Sequence, residues 1–312
     1  MKNFEARSFV RRKTNQLSLS LREKKSLIAV SGGIDSTVCT LLVQLASKEP
    51  FIALYLDTGM MRANEKETTT ALFAKHKIEL QVWDVQDRFF EALQNKLDPE
   101  EKRKTFRDTF YRVFSQALRS YSADILIQGT ILPDIMETQH GIKTYHNVLQ
   151  QAGVNPNHYG LQILEPLREL TKSQTKSVAK HIGLPKKIIN QWPFPGPGLS
   201  LRVVGEVNPE RIEIARRATA IIEKNLSSPA IFQAFPVLLS NKATGIANNT
   251  RIFGETVVVR AVESKDGLTA KPYRFAWKKM EQLSNQILKE VPGIVKVLFD
   301  TTPKPPSTIE YF

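Results

Sequence analysis

Cysteine is almost absent from this 312-residue sequence, in which Cys39 is the single example. One thiol cannot form an internal disulfide framework or a cysteine-rich metal site, so both classes are excluded. No apolar run approaches the roughly 18 residues that a membrane-spanning helix needs. The N-terminal stretch MKNFEARSFVRRKTNQ also lacks the apolar segment of a secretion signal. We therefore expect a soluble, cytoplasmic protein without a membrane partner.

Acidic residues are outnumbered by basic ones, 31 against 44, which gives a formal net charge of +13. A basic excess is typical of nucleic-acid-binding proteins and also of proteins that bind phosphorylated small ligands. The sequence contains no long run of Lys and Arg, no aromatic–glycine RNA motif, and only 8% aromatic residues. Nucleic acid is therefore not expected as a partner, and a phosphate-rich ligand is favoured.

Strand-like and helix-like segments alternate through the first two thirds of the chain. Apolar runs predict strands at residues 26–30, 51–57, 78–85 and 123–130, and helical periodicity follows each of the first three. This alternation predicts an α/β fold, a parallel twisted sheet with helices on both faces. Polar turns follow three of the strand ends, at 31–37, 57–62 and 129–134, where ligands of such sheets bind.

The segment 191–207, QWPFPGPGLSLRVVGEV, is rich in proline and glycine and predicts a domain junction. We divide the chain into a first domain at 1–192 and a smaller α+β domain at 193–312. Residues 136–160 lack periodicity and predict a long loop. Residues 239–255, LSNKATGIANNTRIFGE, are also interpreted as a loop.

The stretch SGGIDST at residues 31–37 carries the clearest chemistry. Two glycines let the backbone approach an anion, and hydroxyls and free N–H groups at a helix start can bind phosphate. It is not the GxxxxGK[ST] loop, because the required lysine is missing. The alternative is an ordinary strand–helix turn capped by Asp35 or Ser36. The complete pattern favours binding of phosphate groups by Ser31, Gly32, Gly33, Asp35, Ser36 and Thr37.

SGGIDST resembles the PP-loop of the N-type ATP pyrophosphatases. The further blocks LDTGMMR, QGTILPDIMET, PFPGPGLSLRVVGEV and KPPSTIEYF resemble, in the same order, the separate ATP-pyrophosphatase subunit of the GMP synthetases. The resemblance extends from Lys25 to the C-terminus. It implies an adenine nucleotide alpha hydrolase-like fold and a homodimer in which the second domain is the dimerisation module.

The resemblance also implies a reaction and its participants. ATP, XMP and ammonia would give AMP, pyrophosphate and GMP, with the xanthine C2 oxygen adenylated before ammonia displaces AMP. The implied cofactors are ATP and Mg²⁺. The implied partner is a separate glutamine amidotransferase subunit that supplies the ammonia.

Matching positions carry the family's residue roles to this sequence. The resemblance implies that the phosphate-binding residues of 31–37 bind ATP, and it adds Asp57, Gly59, Gly129 and Thr130 to the ATP-binding set. It implies catalytic roles for Asp134, Glu137, Lys143 and His146, and metal binding by Asp35 and Asp134. It implies XMP binding by Arg103, Gln233, Lys296, Lys304, Ile309 and Glu310. The alternatives are a solvated loop for the acidic residues, a solvated helix face for Arg103 and a frayed basic tail at the C-terminus.

Several positions depart from the family pattern. Tyr145 replaces a histidine of the lid, and Lys296 stands where arginine is usual, although lysine does not reproduce a bidentate grip. Gln191 and Trp192 replace an Arg–His pair, and Phe312 replaces an acid. Two alternatives therefore remain beside a GMP synthetase subunit. One is a PP-loop paralogue that adenylates another carbonyl, such as a tRNA base, and the other is a catalytically weak nucleotide-binding relative.

Overall fold

The computed structural model describes residues 4–47, 49–139, 162–265 and 267–312, without the side chains of 136–139. Its contacts define two compact units. The first contains Met1–Asp57, Asn64–Val85 and Asp108–Gln191, and the second contains Thr58–Ala63, Gln86–Arg107 and Trp192–Phe312. Compact units of this kind need not be domains that fold alone, so the division at 192/193 stays a prediction.

The first unit is built on a five-stranded sheet with the order β3-β2-β1-β4-β5. All neighbouring strands in it are parallel. The sheet confirms the predicted α/β class, although β5 was not predicted, because three residues give too short a pattern. The strands are β1 Ser26–Val30, β2 Ile52–Asp57, β3 Leu80–Asp84, β4 Ile125–Ile127 and β5 Gln162–Leu164.

Helices follow the strands, and those that belong to the first unit cover its sheet. The helices before residue 191 are α1 Ala6–Ser20, α2 Ile34–Ala46, α3 Glu65–Lys75, α4 Gln86–Leu93, α5 Pro99–Tyr121, α6 Leu132–Gln139, α7 Lys172–His181 and α8 Lys186–Ile189. Of these, α4 and the start of α5 lie in the second unit. The prediction that the loop begins at 136 is wrong, because α6 continues to Gln139. Within the described residues, no helix is both long and apolar enough to cross a membrane.

The core of the first unit explains why β1 reads as an uninterrupted apolar run. Ile28 and Val30 lie in one hydrophobic cluster with Val38 of α2 and Phe73 of α3. Leu27 points to the opposite face and is also fully buried. Parallel strands covered on both faces need apolar residues at every position, not at alternate positions.

The second unit has a sheet in which β8 is central. β8 pairs in parallel with β10 and antiparallel with β6, β7 and β9. The predicted α+β character is confirmed. The elements are a 3₁₀ helix Gly198–Arg202, α9 Pro209–Asn225, β6 Gln233–Leu238, β7 Ala243–Ala247, β8 Thr250–Glu263, β9 Lys271–Pro272, α10 Trp277–Glu290 and β10 Ile294–Asp300.

The loop predicted at 239–255 is wrong over most of its length. β7 and the start of β8 form an antiparallel hairpin in which Ala247 pairs with Thr250. Asn248 and Asn249 connect them with φ angles of 50° and 60°. Two central residues with positive φ are typical of the two-residue turns that match strand twist, and asparagine tolerates this conformation.

Candidate active site

The PP-loop lies between the end of β1 and the start of α2. Gly32 has a φ of +77°, and a Cβ added there would lie 2.6 Å from Glu65 Oε1. The left-handed backbone therefore favours glycine, and any added Cβ would in addition have to displace the Glu65 side chain. The loop conformation follows directly from the SGG pattern.

Hydroxyl groups hold the PP-loop closed on itself. Ser36 Oγ accepts a hydrogen bond from Ser31 N at 3.2 Å and donates to the Gly33 carbonyl at 3.1 Å. Thr37 Oγ1 donates to the same carbonyl at 2.8 Å. The N-cap of α2 is Gly33, which provides no side-chain hydrogen bond, so a turn capped by Asp35 or Ser36 is wrong. The leading N–H groups of α2 therefore have no side-chain cap from Gly33, an arrangement that favours an anion at the positive end of the helix dipole.

The end of β4 braces the same loop. A Cβ at Gly129 would lie 2.9 Å from Ser36 N and 3.0 Å from the Asp35 carbonyl carbon. The neighbouring Thr130 is buried. Only glycine lets this strand end approach the backbone of α2 so closely.

We expect Gly129→Ala to weaken ATP binding by about tenfold or more, because the added methyl group displaces the amides of the phosphate site. Equilibrium binding of ATP measures the effect. Gly196→Ala is the matched control, since a Cβ at Gly196 meets nothing within 4 Å. Equal affinities of the two variants for ATP would contradict this bracing role.

The two carboxylate oxygens of Asp35, in the first turn of α2, differ in their hydrogen bonding to the described residues. Its Oδ2 accepts a hydrogen bond from Lys172 Nζ at 2.6 Å. Its Oδ1 is buried and has no hydrogen-bond partner among the described residues. Burial raises the pKa of Asp35 above its ordinary value, Lys172 opposes the rise, and the charge of Asp134 adds to it. A second cation at Oδ1 would satisfy the orphaned oxygen and offset the cost of burial.

Lys172 was missed by sequence reasoning. It is the first residue of α7, whose N-cap Thr171 forms a capping box with Gln174. The capping pattern indicates a helix start, but nothing in it indicates that this lysine reaches a loop more than a hundred positions earlier. Only the packing of α7 against α2 reveals the contact.

The other residues predicted to bind ATP or to act in catalysis lie at the ends of strands and at the start of α6, or outside the described part. Asp134 Oδ2 accepts from Ile131 N at 3.1 Å at the start of α6. Asp57, at the end of β2, accepts from Lys66 Nζ at 2.8 Å. Gly59 lies in the second unit with a φ of +73°. Glu137 belongs to α6, and its side chain is outside the described part, as are Lys143 and His146 altogether.

In the second unit, the structure brings Gln233 and Glu310 together. Gln233 Nε2 donates to Glu310 Oε1 at 2.6 Å and to the Pro193 carbonyl at 3.1 Å. Arg202 faces the same carboxylate with Nη2 at 3.0 Å from Oε1 and Nε at 3.3 Å from Oε2. The glutamine and the glutamate predicted to bind XMP are therefore one hydrogen-bonded pair.

Arg202 was not predicted, although it lies within the PFPGPGLSLRVVGEV block. It is buried between Phe194 and Phe235, with its guanidinium carbon 4.4 Å and 4.2 Å from the ring centroids. Burial lowers the pKa of Arg202, and the carboxylate of Glu310 opposes that shift. Buried arginine requires such a partner, but the sequence does not show which acid provides it.

The C-terminal tail is anchored, so the frayed-tail alternative is wrong. Arg260 is fully buried and donates to the carbonyl of Ile309 at 2.7 Å and to that of Thr308. Lys304 Nζ donates to the Gly267 carbonyl at 2.8 Å. These contacts hold the backbone next to Glu310 in place.

Arg103 and Lys296, which were also predicted to bind XMP, make other contacts than the Gln233–Glu310 pair does. Arg103 bonds to Glu100 and to the main-chain oxygen of Phe312. Lys296 is exposed on β10. Within the described residues, no hydrogen bond joins either side chain to Gln233 or Glu310, so their predicted contacts with XMP stay predictions.

Two family models match the chain in sequence. Residues 7–199 match NAD synthase, and residues 220–311 match the GMP synthase C terminal domain. The solved structure of NMN synthetase from Francisella tularensis shares the fold, with a TM-score of 0.50 and 20% identity over 73% of this chain and 90% of that one. The fold and the PP-loop thus define an ATP-dependent ligase built on a PP-loop domain.

The relatives in sequence narrow this class. The B subunit of the glutamine-hydrolyzing GMP synthase of Archaeoglobus fulgidus is 42% identical over 308 residues, which cover 98% of this chain and 99% of that protein. Its counterpart in Pyrococcus abyssi is 42% identical over 306 residues, 97% of this chain and 98% of that protein. The chain belongs to the family of GMP synthase B subunits.

Proposed function

We propose that this protein is the ATP-pyrophosphatase subunit that adenylates XMP and aminates it with ammonia to give GMP. The observation that carries the proposal is the PP-loop, with the uncapped start of α2, in a chain 42% identical over nearly its full length to a GMP synthase B subunit. The Gln233–Glu310 pair supports a purine substrate, because it offers hydrogen-bond acceptors to base N–H groups.

The reaction divides into two displacements. The C2 oxygen of XMP attacks the α-phosphorus of ATP, and the bond from that phosphorus to the α,β-bridging oxygen breaks to release pyrophosphate. Ammonia then adds at C2, loses a proton to water, and AMP leaves with the C2 oxygen. The leading amides of α2 hold the phosphates in line, in a loop that the hydroxyls of Ser36 and Thr37 keep closed through the Gly33 carbonyl. This chain therefore contributes positioning and charge stabilisation.

A magnesium ion fits the residues of the PP-loop. The buried Asp35 Oδ1 lacks a hydrogen bond among the described residues, and Asp134 lies near enough to affect the pKa of Asp35. In the described ranges, no three or more Asp, Glu, His or Cys side chains are grouped so that they could hold a metal ion by themselves. Mg²⁺ is commonly bound by one or two carboxylates plus substrate phosphates. When bound, it would offset charge on the departing pyrophosphate.

The partners of the reaction also belong to the proposal. Ammonia would come from a separate glutamine amidotransferase subunit, as the names of the relatives suggest. We further propose a cytoplasmic homodimer formed through the second domain. Nucleic acid is not required for this chemistry.

The test is a pyrophosphate-release assay with pure protein, ATP, Mg²⁺ and ammonium, with and without XMP. We expect pyrophosphate and AMP in equal amounts only when XMP is present. Turnover only with another acceptor would support the PP-loop paralogue. ATP binding without turnover would support the weak relative, and release of ADP and orthophosphate would refute cleavage between the α- and β-phosphates.

A further inference from the structure

Neighbouring acceptors fix the orientation of the Gln233 amide. Its nitrogen donates to the Pro193 carbonyl and to Glu310 Oε1. A carbonyl and a carboxylate can only accept, so the amide nitrogen, not the amide oxygen, must lie between them. Both amide hydrogens are then used. Gln233 has only its carbonyl oxygen left to offer a ligand.

The Glu310 carboxylate is restricted in the same way. Oε1 accepts two hydrogen bonds, from Gln233 and Arg202, and Oε2 accepts one, from Arg202. A carboxylate has about four lone-pair sites, so among the described residues one site remains, on Oε2. An ionised carboxylate facing a guanidinium donates nothing. The pair therefore presents two acceptors and no donor.

The guanidinium that imposes this arrangement cannot turn away. The Arg202 side chain is 2% exposed and lies between the rings of Phe194 and Phe235. Its donors form a rigid planar fork, and stacking between two rings fixes the plane of that fork. The direction of the Glu310 carboxylate is therefore set by Arg202.

We propose that Arg202 is a positioning residue that fixes Gln233 and Glu310 as two acceptors, so that the pair selects nucleotide bases with ring N–H groups. A base that presents a ring lone pair at the same edge would leave these acceptors unpaired, which strongly disfavours binding. The inference rests on the proposed function, since XMP has a ring N–H beside the carbonyl that is adenylated.

The test measures equilibrium binding of three nucleotides to the full chain by calorimetry. XMP, IMP and purine riboside 5′-monophosphate are titrated with α,β-methylene-ATP present to fill the ATP site without turnover. IMP and purine riboside 5′-monophosphate differ in the N1–H lactam. We expect the wild-type protein to bind IMP about tenfold or more tightly than purine riboside 5′-monophosphate.

Two variants remove the acceptor arrangement in different ways. In Glu310→Gln, we expect the single amide oxygen of the new side chain to accept from Arg202 and Gln233. Its NH₂ group, a donor, then faces the ligand in place of a carboxylate oxygen. Arg202→Lys keeps the charge but loses the fork. We expect each to reduce the IMP preference by about tenfold, mainly through weaker IMP binding. Arg62→Lys is the matched control, because Arg62 stacks on the same Phe194 ring at 4.0 Å and pairs with Glu223. We expect this control to keep the wild-type preference.

The outcomes separate the inference from the proposed function. Equal weakening of all three nucleotides in Glu310→Gln and Arg202→Lys would mean that Arg202 only anchors the tail, and would overturn the inference. Wild-type protein that binds XMP but does not distinguish IMP from purine riboside 5′-monophosphate would also overturn it, with the proposed function intact. Wild-type protein that binds no XMP would instead defeat the proposed function.

Discussion

Replacing Asp35 by Asn is expected to reduce pyrophosphate release by about a hundredfold to a thousandfold. The amide keeps the shape of the carboxylate but removes its negative charge. That charge pairs with Lys172 through Oδ2, and Oδ1 has no hydrogen-bond partner among the described residues. The loss should appear in kcat, because charge at this position matters most as pyrophosphate departs. A coupled pyrophosphate assay at saturating ATP and XMP measures it.

The same variant should fold normally. Burial already raises the pKa of Asp35, so a neutral side chain removes a desolvation cost, and thermal unfolding should occur at no lower temperature than in the wild type. Asp124→Asn is the matched control. Asp124 accepts a hydrogen bond from Lys25 N at 2.9 Å and comes just before β4, whereas Gly129, which contacts the PP-loop, comes just after β4. Wild-type turnover in Asp35→Asn would remove Asp35 from the site.

Truncation after Pro303 is the second change with a large expected effect. It removes Glu310 from Arg202 and the carbonyls of Thr308 and Ile309 from Arg260. We expect the KM for XMP to rise about a hundredfold, because several charge-assisted hydrogen bonds of the pair and its support disappear together. Binding of ATP, whose predicted phosphate contacts lie in the first unit, should change by less than about threefold.

A shorter truncation controls for loss of folding. Ending the chain after Ile309 keeps the carbonyls that Arg260 binds but removes the Glu310 carboxylate. We expect nearly the same loss of XMP binding with a smaller loss of thermal stability. If both truncated proteins kept the wild-type dependence on XMP, the tail would have no part in substrate binding.

The scaffold could be predicted from the sequence because its signals are local. The apolar runs of β1 and β2 and the helical spacing of α2 predicted elements that the structure reproduces within a residue or two. The short β5 and the whole of α6 were not predicted, since residues 129–134 were interpreted as a polar turn and segments this short do not establish a period. The β7–β8 hairpin was not predicted either, because its Asn–Asn turn lacks the glycine that marks most two-residue turns.

Of the candidate site, only the PP-loop could be predicted from local sequence signals. SGGIDST was enough to predict the glycine-dependent turn and a helix start rich in hydroxyls, since a positive φ at Gly32 and hydroxyls in α2 are properties of neighbouring residues. The contacts of Lys172 with Asp35 and of Arg202 with Glu310 join positions more than a hundred residues apart, and no local pattern encodes such pairs. Local sequence thus determines the α/β class and the phosphate loop. Which buried charges meet is decided by the tertiary structure alone, because ion pairing depends on distances that exist only after the helices and strands have packed.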